Sequence, residues 1–101
     1  MYIVSLHYIR PLAELELHLA AHRAWLDQHY AANLILASGP KVPRSGGVIL
    51  VRAMPRAQLD ALLAGDPFAL AGIATHDVTE FNATRQHPAL AATGLLDTPA
   101  A

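Results

Sequence analysis

Cysteine is absent from this chain, which removes disulfides, thiolate metal ligands and thiol nucleophiles together. Charge is scarce as well. Only 15% of the 101 residues are charged, and Lys and Arg together number 7. A nucleic-acid footprint needs basic side chains clustered on one face, and this composition does not supply one. No apolar stretch approaches the roughly 20 residues of a membrane span. The opening stretch, Met1 to Arg10, has no basic segment ahead of an apolar run, so no secretory signal is expected there. These absences predict one soluble, cytoplasmic domain with neither nucleic acid nor membrane as partner.

What the chain does have is apolar surface. Hydrophobic residues make up 53%, and the mean hydropathy is +0.30. A domain of this length buries only roughly 60–70% of its unfolded surface. The surplus predicts a second subunit.

The order of elements follows from pattern. "MYIVSLHYI" is rich in β-branched and aromatic residues and reads as a central strand covered on both faces. Pro11 opens a helix expected to reach about Ala32. At about 100° per residue, Leu12, Leu15, Leu19, Leu26 and Tyr30 share one stripe. "LILASG" reads as a short strand stopping at Gly39-Pro40, "KVPRSGG" as a loop and "VILVRA" as a buried strand. Pro55 opens a second helix that Gly65 closes. Asp66-Pro67 begins one further helical turn, with Asp66 as its cap. "IATHDVTEFN" is the last strand. The sequence βαββαβ is the split βαβ, ferredoxin-like arrangement. Its class is α+β, an antiparallel four-stranded sheet with helices on one face. The expected domain covers residues 1–85, and residues 86–101 read as a C-terminal tail. The uncovered sheet face predicts a homodimer joined through it.

Four features are candidates for chemistry. Relative to His18, His22 falls near about 40°, at the edge of the leucine stripe, which centres near about 80°. It reads either as a core-edge histidine satisfied by a carbonyl or water, or as a wall of a pocket. His18 and His22 stand at i and i+4, a metal-capable spacing, but neither the accompanying glutamate nor a third ligand is present, so no metal and no cofactor are expected. Asp66 is explained by capping alone. The loop "ASGPKVPRSGG" offers the Ser38 hydroxyl, backbone N–H groups and Lys41 or Arg44 to an anionic ligand, without phosphate-loop spacing. His76 and Asp77 are adjacent on a strand, point to opposite faces and cannot act as a unit. His76 is expected at an interface or in solvent.

Taken together, these pieces resemble the YciI-like family. The elements that carry the resemblance are Ala21-His22-Arg23 in the first helix, Ser38-Gly39-Pro40, and Asp66-Pro67-Phe68 followed by Gly72. The resemblance spans about Met1 to Arg85. It implies a dimeric α/β barrel of ferredoxin-like subunits. It also implies that His22 and Asp66 form a catalytic pair, with Ser38, Gly39, Pro40 and Phe68 binding a small-molecule substrate. A few relatives are dehydrochlorinases acting on chlorinated hydroxyquinols. The expected reaction is therefore elimination or isomerisation of a small aromatic or anionic molecule by general acid–base chemistry. Tyr8 and Trp25 are further candidates for the pocket wall. A non-catalytic small-molecule binder and a cofactor-free monooxygenase of the same fold are the alternatives.

Overall fold

A computed structural model describes residues 1–96. The elements are β1 (Tyr2–Tyr8), α1 (Leu12–Ala31), β2 (Ile35–Pro40), β3 (Gly46–Val51), α2 (Arg56–Ala64), α3 (Pro67–Leu70), β4 (Ala74–Glu80) and α4 (Pro88–Ala91). Successive strand side chains point to opposite faces, and β1 uses this fully. Tyr2, Val4 and Leu6 are buried, while Ile3 and Ser5 are half-buried and His7 is exposed. The four strands form one sheet in the order β2-β3-β1-β4, and every neighbouring pair is antiparallel. This is the ferredoxin-like topology, with β1 central as expected.

The register decides which side chains meet the helices. Leu6 lies opposite Gly47 on β3 and His76 on β4, and Val4 lies opposite Ile49 and Val78. Gly47, Ile49, His76 and Val78 therefore share the helix-covered face with Val4 and Leu6. Asp77 lies opposite Ser5 on the other face. That other face holds a half-buried row of Ile3, Val48 and Leu50, with Thr75, Asp77 and Thr79 beside it.

The stripe of α1 is rotated from the expected one. Its buried residues are Leu15, His22 and Trp25, which places the centre near about 30° rather than about 80°. His22 is thus in the middle of the buried face and not at its edge. Leu12 is exposed, while Leu19, Leu26 and Tyr30 pack only partly against the core. The reason is local: Leu19 and Leu26 face a cavity, as described below. The helix closes on Asn33, whose φ of 59° is a left-handed conformation that asparagine tolerates. The N–H of Leu34 then reaches the His29 carbonyl at 3.0 Å.

β2 stops at Pro40, where the sequence reading ends it, and Ser38, Gly39 and Pro40 pair with Ile49, Val48 and Gly47. One strand boundary differs. The glycine pair opens β3 instead of ending a loop, since the backbones of β1 and β3 approach too closely there for a side chain. Part of the expected tail is structured: α4 begins at Pro88, capped by the His87 ring. Residues 97–101 of that tail lie outside the described residues.

Candidate active site

Asp66 organises the site. It sits between α2 and α3, with Pro67 at the first helical position. Its Oδ1 accepts the Phe68 N–H at 3.0 Å, which is the expected cap. The same oxygen accepts from Nδ1 of His22 at 2.7 Å, and Oδ2 accepts from Nε2 of His76 at 3.1 Å. Capping and pairing are therefore not alternatives. One carboxylate has lone pairs for all three donors. Asp66 has no exposed surface, and His22 is 8% exposed.

Electrostatics keep that carboxylate ionised. Burial by itself would raise its pKa. The hydrogen bonds from His22, His76 and the Phe68 N–H outweigh burial and lower the pKa from 3.8 to about 2. Because the folded pKa is depressed, the contribution to stability is complete above the unfolded value. It is lost as pH falls from about 4 towards 2. Its size is about 2 kcal/mol. Urea unfolding at a pH of about 5 and again at about 2.5 should show Asp66→Asn losing less stability than wild type, by about this amount. Equal losses would mean that the carboxylate is not held as described.

The acceptor role of Asp66 also sets the tautomer of His22. An ionised carboxylate cannot donate, so Nδ1 of His22 carries the proton and Nε2 is the nitrogen left over. Stacking fixes the ring. His22 lies parallel to Phe68 at 4.0 Å and 3°, and Trp25 follows at 5.8 Å and 27°. Tyr8 meets Phe68 edge-on at 6.1 Å. Phe68 thus orients His22 as well as facing the cavity.

The cavity has a volume of about 400 Å³. From α1 it takes Leu19, His22, Arg23 and Leu26. The sheet supplies Leu6, Tyr8 and Ile49, and β2 supplies Ser38, Gly39 and Pro40. Arg44 from the β2–β3 loop, Gly47 and Val48 of β3, and Phe68 complete the wall. Ser38, Gly39, Pro40, Phe68 and His22 therefore meet on one cavity, with Asp66 behind His22. The Ser38 hydroxyl shares a 2.6 Å hydrogen bond with the Tyr30 hydroxyl. Trp25 does not line the cavity. It lies in the core, beside His22. Lys41 is turned to His7, with 3.3 Å between Nζ and Nδ1, and leaves Arg44 as the loop's cation in the wall.

Three residues escaped the sequence reading. His76 was expected at an interface or in solvent, but it faces the helices and bonds Asp66. The signal was present: His76 alternates with Ala74 and Val78, both apolar, so the three share a covered face. Tyr30 and Arg23 carry no comparable signal, since each looks like an ordinary helix residue. Among the described residues no group of three or more His, Cys, Asp or Glu side chains is placed to hold a metal ion, and no helix is long and apolar enough to cross a membrane.

A buried carboxylate bridging two histidines, one of them opening on a cavity over a ferredoxin-like sheet, marks out the candidate site of an α+β domain. The YCII-related domain model matches residues 1–82, and the chain belongs to that family. Among solved structures it is similar to the 5-chloro-2-hydroxyhydroquinone dehydrochlorinase TftG of Burkholderia phenoliruptrix AC1100, in complex with 2,5-dihydroxybenzoquinone. The TM-score is 0.67 at 22% identity, over 80% of this chain and 93% of that one. No curated protein matches the sequence.

Proposed function

We propose that this protein is a small-molecule enzyme in which His22 is the general acid–base and Asp66 holds it. The observation that carries this reading is the 2.7 Å hydrogen bond from His22 Nδ1 to a fully buried carboxylate. The chemistry is elimination or isomerisation of a small hydroxylated, ring-like substrate. In an elimination, Nε2 of His22 takes a hydroxyl or C–H proton. The released electron pair forms the new double bond and expels the leaving group, chloride in a dehydrochlorination. The imidazolium formed is stabilised by Asp66. In an isomerisation, the same nitrogen returns the proton to another atom. Ser38 stands across the cavity as a hydrogen-bond partner for a substrate oxygen. The dehydrochlorinase with the same fold supports the reaction class, and the cavity is the right size for one substituted ring.

The test is chloride release from a chlorinated hydroxyquinol, with a panel of hydroxylated aromatics screened by absorbance for isomerisation. Turnover by wild type and its loss in His22→Gln is the expected result. A His22→Gln variant as fast as wild type would defeat the reading.

The working form is a homodimer through the open sheet face, supported by the apolar row of Ile3, Val48 and Leu50. At micromolar concentration, light scattering should give twice the 10.8 kDa chain mass. Leu50→Lys should return it to a single chain. A wild-type mass of one chain would refute the dimer.

A further inference from the structure

Five of the six arginines, all but Arg85, divide into two kinds. Arg10 and Arg56 are tied to Glu14 and Asp60 one helical turn on, at 2.7 and 2.9 Å. Arg52 donates to the Asn33 carbonyl at 3.5 Å. Arg23 and Arg44 differ. Both line the cavity, and neither has an ion pair or hydrogen bond among the described residues. They come from separate elements, α1 and the β2–β3 loop, so the cavity wall takes one arginine from the helix and one from the hairpin. Among the described residues no acidic side chain lines it. The Asp66 carboxylate lies behind the His22 ring and is already taken by three donors.

The remaining wall is largely apolar, with Leu6, Leu19, Leu26 and Phe68 around the Ser38 hydroxyl. Two cations facing an apolar cavity with no counter-charge have an unmet preference for an anion. A guanidinium matches a carboxylate in a two-bond fork. A phosphoryl group has more oxygens to satisfy, and this wall has few further donors.

We infer that the substrate is an organic acid: a ring seated among the apolar residues, carrying a carboxylate that Arg23 and Arg44 hold at the cavity rim. The inference rests on the proposed reading of this cavity as the substrate site. It assigns Arg23 and Arg44 as specificity residues, distinct from the His22–Asp66 chemistry.

Isothermal titration calorimetry with 2,5-dihydroxybenzoate and neutral hydroquinone tests it. The acid should bind wild type at least about tenfold more tightly, and added salt should narrow the gap. Arg23→Gln and Arg44→Gln should each weaken the acid several-fold. The double variant should bind both compounds alike, with hydroquinone affinity unchanged. Both arginines are exposed, so these variants should fold normally. Equal binding of acid and hydroquinone by wild type would overturn the inference. So would a preference that survives in the double variant, or phenyl phosphate binding as tightly as the benzoate. His22→Gln separates the two readings. It should keep the arginine-dependent preference while losing turnover. If it keeps both, the acid site stands and the catalytic reading falls.

Discussion

Asp66→Asn should lower turnover by about a hundred- to ten-thousand-fold while the protein stays folded. Asparagine can still accept the Phe68 N–H and cap α3, so α3 should persist. It cannot satisfy His22 and His76 as the carboxylate does. One amide oxygen replaces two acceptor oxygens, and the NH2 group needs an acceptor of its own. One histidine must therefore change tautomer. If His22 changes, Nε2 becomes a donor and is no longer a base. Even with the tautomer kept, no negative charge remains to stabilise the imidazolium. The loss should appear in kcat more than in KM, because the carboxylate does not line the cavity. Circular dichroism and urea unfolding would establish that the fold persists. A folded Asp66→Asn variant with unchanged kcat would reduce Asp66 to a cap, and with it the whole catalytic assignment.

Gly46→Ala carries the largest expected cost in stability. A methyl group there would be driven into the Leu6 carbonyl oxygen, with the Leu6 carbonyl carbon 2.9 Å away. Both are backbone atoms of the central strand, so no side chain can move aside. The strands must separate at the point where the β2–β3 loop is anchored. The Lys41 N–H reaches the Gly46 carbonyl at 2.9 Å, and the Tyr8 N–H reaches Ser45 at 3.1 Å. A loss of about 3 kcal/mol is expected. In a domain this small that lowers Tm by roughly 12–24 °C. Scanning calorimetry reads it directly. Because the anchored loop carries Arg44, whatever folded protein remains should also bind anionic ligands more weakly. A melting temperature within a few degrees of wild type would show that β1 and β3 are not so close there.

His76 shows where reading along the chain stopped short. Alternation separates it from Asp77 correctly and sets it with Ala74 and Val78 on the apolar face of β4, yet it does not say what His76 meets there. That depends on the register with β1, which places His76 opposite Leu6. His22 posed the same problem on a helix. The leucines marked a stripe, but two of them line a cavity, so their mean direction missed the buried centre. A cavity is invisible to periodicity, because an apolar side chain facing empty space and one facing the core look identical in sequence.

The order of strands and helices, the antiparallel sheet, the caps at Pro11 and Asp66 and the absence of thiol chemistry were all legible in the chain. They depend on local preferences and on periods of two and 3.6 residues, which neighbouring residues set between themselves. The His22–Asp66 pair was legible only through resemblance, since 44 positions separate its members. Folding alone put His76 on the second carboxylate oxygen, joined Tyr30 to Ser38, drew Trp25 into the core and left Arg23 and Arg44 without partners among the described residues beside one cavity. Each of those facts is a distance between elements. Such distances are set by how the helices lie on the sheet and by strand register, which only the packed structure specifies.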